Sequence, residues 1–215
     1  MSLATEPKIE AETDGESDFD PTWVDPTMAG IPMTLAEFDA LEDGEEGYRY
    51  ELIHGVLVVS PSPARNERDV NQELGHLLLS FAERRPGVLD DTLNEDDVRT
   101  PLSRRRADRA IWCGRGRLPG AKEQADILVE FVSKGRRNWK RDYEEKVAEY
   151  LDAGVKEYWI FDRFARRMTV HRQVEGQRSV RVVTETETYA TDLLPGFELS
   201  LAHLLAVCDR RSAQR

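Results

Sequence analysis

Cysteine is nearly absent: Cys113 and Cys208 are the two in 215 residues, and the four histidines are scattered. With no CxxC, that supply is too small for a disulfide framework or a cysteine-based zinc site, and a reducing cytoplasm is the expected compartment. No apolar run approaches the ~20 residues of a spanning helix, and the N-terminus is acidic where a signal or transit peptide would be basic. Secretion and membrane insertion are not expected. Internal repeats are also missing. What is there, 40% hydrophobic and 33% charged residues, suits one globular domain with an extension, and a domain of ~150 residues buries roughly 70% of its unfolded surface without staples.

Basic residues are scarce in one place. Residues 1–46 hold 14 Asp/Glu and one Lys, a balance of −13, so the remaining 169 residues, with 27 Asp/Glu and 29 Lys/Arg, stand at +2 although the whole chain carries −11. The acidity belongs to the leader, and the body is free to carry basic patches. Residues 1–32 are expected to be a flexible acidic tail, since few large apolar groups are available to offset the entropy of ordering; Phe19 and Trp23 are the exceptions that could dock. An ordered domain is expected over 33–208, with a short tail at 209–215.

Thr34 followed by Glu37 has the spacing of a capping box, which predicts a short helix to about Glu42. Tyr48–Ile53 and Val56–Val59 read as strands around a His54-Gly55 turn. From Glu67, apolar Val70, Leu74, Leu77, Leu78 and Phe81 recur at helical spacing up to Pro86. Short β-branched or aromatic runs at 96–100, 107–113 and 127–132 predict strands of one sheet. A helix over 142–153 ends at Gly154, a strand follows over 157–161, a hairpin over 168–173 and 179–183, and a closing helix over 201–207.

Two carboxylates stand out. Asp108 opens the apolar strand Ala110-Ile111-Trp112, and Glu130 lies inside the run Ile127–Val132. A charge buried in such a strand needs a cation or a proton. A metal meets that need, and so does a salt bridge to arginine or an edge strand that turns Glu130 to water. Lys146, between Tyr143 and Tyr150 on its predicted helix, either points at the sheet or forms a surface pair with a nearby glutamate. Arg104, Arg105, Arg106 and Arg109 surround Asp108, while Lys134, Arg136, Arg137, Lys140 and Arg141 follow Glu130. Acidic ligands flanked by phosphate-attracting side chains would furnish a polyanion site with a divalent metal, although such runs also occur as solvated loops. Trp139 could stack on a base or pack on the sheet.

The segments Tyr50-Glu51-Leu52-Ile53-His54-Gly55, Ser60-Pro61-Ser62-Pro63, Ala107-Asp108-Arg109-Ala110, Asp126–Ser133, Asp142–Lys146 and Ala153–Asp162 occur in an order that resembles the Uma-two family of restriction-endonuclease-like proteins, within the PD-(D/E)XK nuclease superfamily. The resemblance spans about residues 33–205. It implies an α/β fold, a restriction-endonuclease-like core with a mixed central β-sheet flanked by helices. It also implies a Mg²⁺ (or Mn²⁺) site in which Asp108 and Glu130 are ligands, Glu51 is an additional ligand, and Lys146, displaced to the next helix, stands in for the usual lysine at the position of Val132. Ala107 replaces the usual proline, His54 a common aspartate, and the histidine often found after Ser-Pro-Ser-Pro is missing around 64–68.

The implied activity is hydrolysis of DNA phosphodiester bonds by a metal-dependent endonuclease, with Asp108, Glu130 and Lys146 catalytic and Arg104, Arg105, Arg106, Arg136, Arg137 and Lys140 contacting DNA. Cutting both strands with one site per chain would need a homodimer. A catalytically silent module that binds DNA or a protein, and a hydrolase of small phosphoesters, are the alternatives.

Overall fold

The computed structural model describes residues 22–63 and 65–212. In chain order the elements are β1 (Trp23–Val24), a 3₁₀ turn (Pro26–Met28), α1 (Leu35–Asp39), β2 (Asp43–Gly44), β3 (Tyr48–Ile53), β4 (Val56–Pro61), α2 (Arg65–Arg84), β5 (Leu89–Arg99), β6 (Ser103–Cys113) and β7 (Ile127–Phe131). There follow α3 (Arg136–Lys140), a π-helical turn (Arg141–Glu145), α4 (Lys146–Asp152), β8 (Glu157–Asp162), β9 (Arg167–Val174), β10 (Gln177–Thr184), β11 (Thr188–Ala190), β12 (Glu198–Ser200) and α5 (Leu201–Ser212).

Eight strands form one mixed sheet in the order β10-β9-β8-β7-β6-β3-β4, with β5 also paired to β6. The β7–β8 pair is parallel and the other neighbours are antiparallel. The expected mixed α/β sheet flanked by helices is therefore what the chain adopts. On one face, Val70, Leu74, Leu78 and Phe81 of α2 and Leu204, Leu205 and Cys208 of α5 pack on Ile111, Ile127, Val129 and Trp159. The opposite face buries Ala110, Trp112, Leu128 and Ile160 under Tyr150 and Val155. Both cysteines are buried, and no disulfide joins them. Among the described residues no helix is long and apolar enough to cross a membrane.

Local chemistry explains most boundaries. Thr34 and Glu37 make the reciprocal capping box, so α1 starts where expected. His54 and Gly55 both take positive φ, 49° and 79°, as a two-residue turn matched to strand twist requires. Gly154 ends α4 at φ 94°. Buried Glu157 accepts from Trp159 Nε1, Tyr189 Oη and Thr191 Oγ1 and pairs with Arg172, so its desolvation is offset.

Several expectations need correction. Residues 22–32, assigned to the tail on composition, are packed: β1 pairs with β2, Val24 is buried, and Pro32 bridges Val56. Backbone pairing supplies what their side chains lack. Residues 1–21, with Phe19, lie outside the described residues, as do 213–215. The closing helix runs on to Ser212 rather than stopping before a tail, and Asp209 on it pairs with Arg166. β5 begins at Leu89, since its polar first half is held by β6.

Leu78 is fully buried beneath α2. Leu78→Ala should lower unfolding stability by about 2–5 kcal/mol through lost transfer energy and a cavity; a shift of the urea midpoint equivalent to less than about 1 kcal/mol would contradict this packing.

Candidate active site

The site grows from a fork in the sheet. β5 covers one edge of β6 from Arg104 to Cys113. The other edge is shared: β3 pairs with it at Ser103 and Arg104, and β7 at Arg109 to Ile111. Between them, residues 105–108 have no strand on that side, and the splayed strands leave a cleft of about 290 Å³ lined by Arg49, Glu51, Asp108, Glu130, Arg141 and Lys146, among others. Side chains fill the missing ladder. Arg106 N–H donates to Glu51 Oε1 at 3.0 Å, and Phe131 N–H donates to Asp108 Oδ2 at 2.8 Å.

Asp108 itself is displaced by an irregularity. The β5–β6 ladder keeps its register from Asn94–Arg109 to Asp96–Ala107, but Glu95 and Asp108, which stand opposite each other between those pairs, are not partners in it, and Glu95 has φ 57°. Ala107 and Ala110 pack in the same cluster, so the two-residue alternation slips once between them. Asp108 thereby turns into the cleft, whereas Arg109 points to the other face, where Asn71 and Thr92 receive its guanidinium. Asn71 also donates Nδ2 to the Asp108 carbonyl at 2.7 Å, fixing α2 to this strand.

Glu130 and Lys146 line the cleft, and Asp142 sits beside Lys146. Lys146 Nζ donates to Glu130 Oε1 at 2.7 Å and lies 3.7 Å from Asp142 Oδ1. Tyr150 Oη donates to the same Glu130 oxygen at 3.2 Å. Lys146 is 2% exposed, which decides between the surface pair and the inward-facing lysine in favour of the latter. Glu130's cation is this lysine rather than an arginine. The π-helical turn carries Arg141 and Asp142, which pair at 3.3 Å; one widened turn at a functional cleft is a recurrent arrangement.

Burial pushes the Glu130 carboxyl well up from its ordinary value, Lys146 opposes the rise, and Asp108 and Asp142 add to it. Burial acts the same way on Asp142. Lys146 stays charged: burial opposes the cation, but Glu130, Glu51 and Asp142 more than offset it. Glu51 also resists burial, because Lys146, Arg141 and the Arg106 N–H hold its pKa below the usual range. The cleft thus holds three carboxylates, Glu51, Asp108 and Glu130, among four cations, Arg49, Arg106, Arg141 and Lys146.

Among the described residues no three of His, Cys, Asp and Glu converge closely enough to hold a metal ion between them. The donor set nevertheless suits a hard divalent ion. Asp108, Glu130 and Glu51 bring carboxylate oxygens to one cleft, and Mg²⁺ is commonly held by one or two carboxylates while keeping several waters.

The basic residues divide by role. Arg105 is 1% exposed and grips Glu149 with two hydrogen bonds, of 2.9 and 2.6 Å, so it clamps α4 to β6 and cannot meet DNA. Arg104 is similarly occupied by Asp39, through bonds of 2.7 and 2.8 Å that hold α1. The expected DNA contacts of Arg104 and Arg105 follow from the basic cluster in the sequence, where the facing carboxylates Asp39 and Glu149 are not visible. Arg106 lines the cleft and pairs with Asp97. Arg136 and Lys140 are exposed, and the Arg137 side chain lies outside the described residues. Trp139 stacks on Tyr143 at 4.8 Å rather than packing on the sheet.

Sequence reasoning missed Arg49, which donates to Asp108 Oδ1 across a separation of 59 residues, together with Asp142, Tyr150 and Asn71. Arg49 stands two residues before Glu51 on a strand, a spacing that places both on one face. Asp142 stands one helical turn before Lys146.

With this geometry in place, a family model described as "Putative restriction endonuclease", Uma2, matches residues 35–202. The chain belongs to the Uma2 family. A search of curated proteins finds no match. Among solved structures, "a putative nuclease belonging to DUF820" from Anabaena variabilis ATCC 29413 superposes with a TM-score of 0.67 at 16% identity, covering 82% of this chain and 99% of that one. This likeness shows the shared fold.

Arg105→Ala leaves Glu149 without its two-pronged partner, and should lower unfolding stability by about 3 kcal/mol. Arg136→Ala, at the exposed start of α3, should stay within about 0.5 kcal/mol of the parent; equal effects in parallel denaturation curves would contradict the division of roles.

Proposed function

We propose that this Uma2 protein is a Mg²⁺-dependent DNA endonuclease whose catalytic residues are Asp108, Glu130 and Lys146. One observation carries the reading: three groups from β6, β7 and α4, separated by 22 and 16 residues, line one cleft. Asp108 and Glu130 would hold the ion, with Glu51 as a further oxygen ligand. When bound, Mg²⁺ supplies Lewis-acid stabilisation of phosphoryl charge and lowers the pKa of a bound water.

The chain's own groups do the remaining work. Lys146, charged and tied to Glu130, sets a fixed positive charge beside the reacting phosphate and orients the attacking water. Tyr150 and Asp142 hold Lys146 and Glu130 in place rather than touching substrate. Arg141, with Arg106 at the rim, offers positive charge to the backbone of the nucleic acid, and exposed Arg136 and Lys140 extend that surface. Mn²⁺ is expected to substitute for Mg²⁺. Cutting both strands would require two chains, each contributing one site.

The occupied state of the carboxylates favours a second reading: Asp108 already rests on Arg49 and Glu130 on Lys146, as in a binding module that needs no metal. The two separate in one experiment, Mg²⁺-dependent cleavage of supercoiled and single-stranded DNA by wild type, Asp108→Asn and Lys146→Ala. The nuclease reading expects cleavage that falls at least about 100-fold in either variant, the scale of a lost acid–base or electrostatic group, while DNA affinity persists. DNA binding without cleavage in all three would support the binding module.

A further inference from the structure

The carboxylate on which a divalent ion would land is already held. Arg49 donates both terminal nitrogens to Asp108 Oδ1, at 2.9 and 3.0 Å, while one of them also reaches Glu95 Oε1 at 3.1 Å. Asp108 Oδ2 takes the Phe131 N–H. A carboxylate oxygen offers about two lone-pair sites, so Oδ1 is filled and Oδ2 half filled. A metal bound through Oδ1 and the Arg49 grip exclude one another.

The alternative partner for Arg49 is built in. Glu95 stands opposite Asp108 at an unpaired position of the β5–β6 ladder, and both face the same guanidinium. Arg49 Nε is a buried donor with no hydrogen-bond partner among the described residues. Release from Asp108 would leave Arg49 anchored on Glu95, within the cleft it lines, with donors to spare for an anionic oxygen.

We propose that Arg49 is a latch on the metal site: it occupies Asp108 in the empty protein, yields that oxygen to the divalent ion, and is retained by Glu95 to receive a phosphate oxygen of the substrate. The inference rests on the metal-dependent reading above. It makes metal and polyanion binding mutually favourable, since each removes Arg49 from the position the other needs vacated, and such coupling is reciprocal. Arg49 is a positioning residue in the empty protein and a substrate-contacting one in the loaded state.

The test measures Mn²⁺ binding to the full-length protein by electron paramagnetic resonance, without substrate, with circular dichroism to establish folding. Arg49→Gln should bind Mn²⁺ about tenfold more tightly than wild type, an effect of ~1.4 kcal/mol. Glu95→Gln should bind it more weakly, because Arg49 then rests wholly on Asp108; a merely structural role would weaken both. Arg49→Lys keeps the charge but loses the two-pronged grip, and should fall between wild type and Arg49→Gln, which serves if the glutamine variant does not fold. Arg141→Gln controls for net charge, since Arg141 lines the cleft but bonds Asp142. An equal gain in Arg141→Gln, or no gain in either Arg49 variant, overturns the latch. If wild type cleaves with Mn²⁺ while the Arg49 variants bind it no more tightly, the latch fails and the nuclease reading stands. If neither wild type nor the Arg49 variants bind Mn²⁺, both fail.

Discussion

Everything at the cleft depends on one edge of β6 being shared by two strands that do not meet. A continuous ladder would satisfy the backbone there and leave no opening. Because β3 and β7 pair with different ends, residues 105–108 keep an open edge, and buried backbone donors must be satisfied by other groups. Glu51 and Asp108 meet part of that need by accepting from Arg106 N–H and Phe131 N–H. The same two hydrogen bonds therefore close the fork and fix the orientation of two carboxylates. Structural demand and site geometry have a single cause.

The fork also concentrates charge at low exposure. Glu51, Asp108, Glu130 and Asp142 are all buried, and an isolated buried carboxylate would neutralise or unfold the region. Arg49, Arg141 and Lys146 supply the compensating cations, each hydrogen-bonded rather than merely nearby. The compensation is uneven: burial still drives Glu130 and Asp142 toward their protonated forms. Carboxylate oxygens and cations thus share one cleft, and that pairing belongs to the electrostatics of this chain as well as to its family.

Much of the fold was legible in local pattern. The helical spacing from Val70 to Phe81, the capping box at Thr34, the turn at His54-Gly55 and the stop at Gly154 each rest on short-range chemistry and appear in the structure. The same reading failed where partners are distant. Polar Asp90 to Glu95 look like a loop until β6 supplies their ladder, and Trp23-Val24 look like tail until Asp43-Gly44 pair with them. Arg104 and Arg105 read as phosphate contacts because Asp39 and Glu149, which occupy them, stand 65 and 44 residues away. A π-helical turn leaves no signature in apolar spacing, so the sequence predicts one helix from Asp142 where the structure has a π turn and then α4 from Lys146.

By itself the sequence determined which residue types were available, that two carboxylates lie in apolar strands, and, through its resemblance to a family, that Asp108, Glu130 and Lys146 belong together. Only the tertiary structure decided where each charge ends. It assigned Arg49 to Asp108 and Lys146 to Glu130, turned Arg105 from the surface to a buried clamp, and brought Glu95 within reach of the same guanidinium. The physical reason is that propensity and spacing act within a few residues, whereas the cost of burying a charge is settled by whichever opposite charge the fold brings to hydrogen-bonding distance.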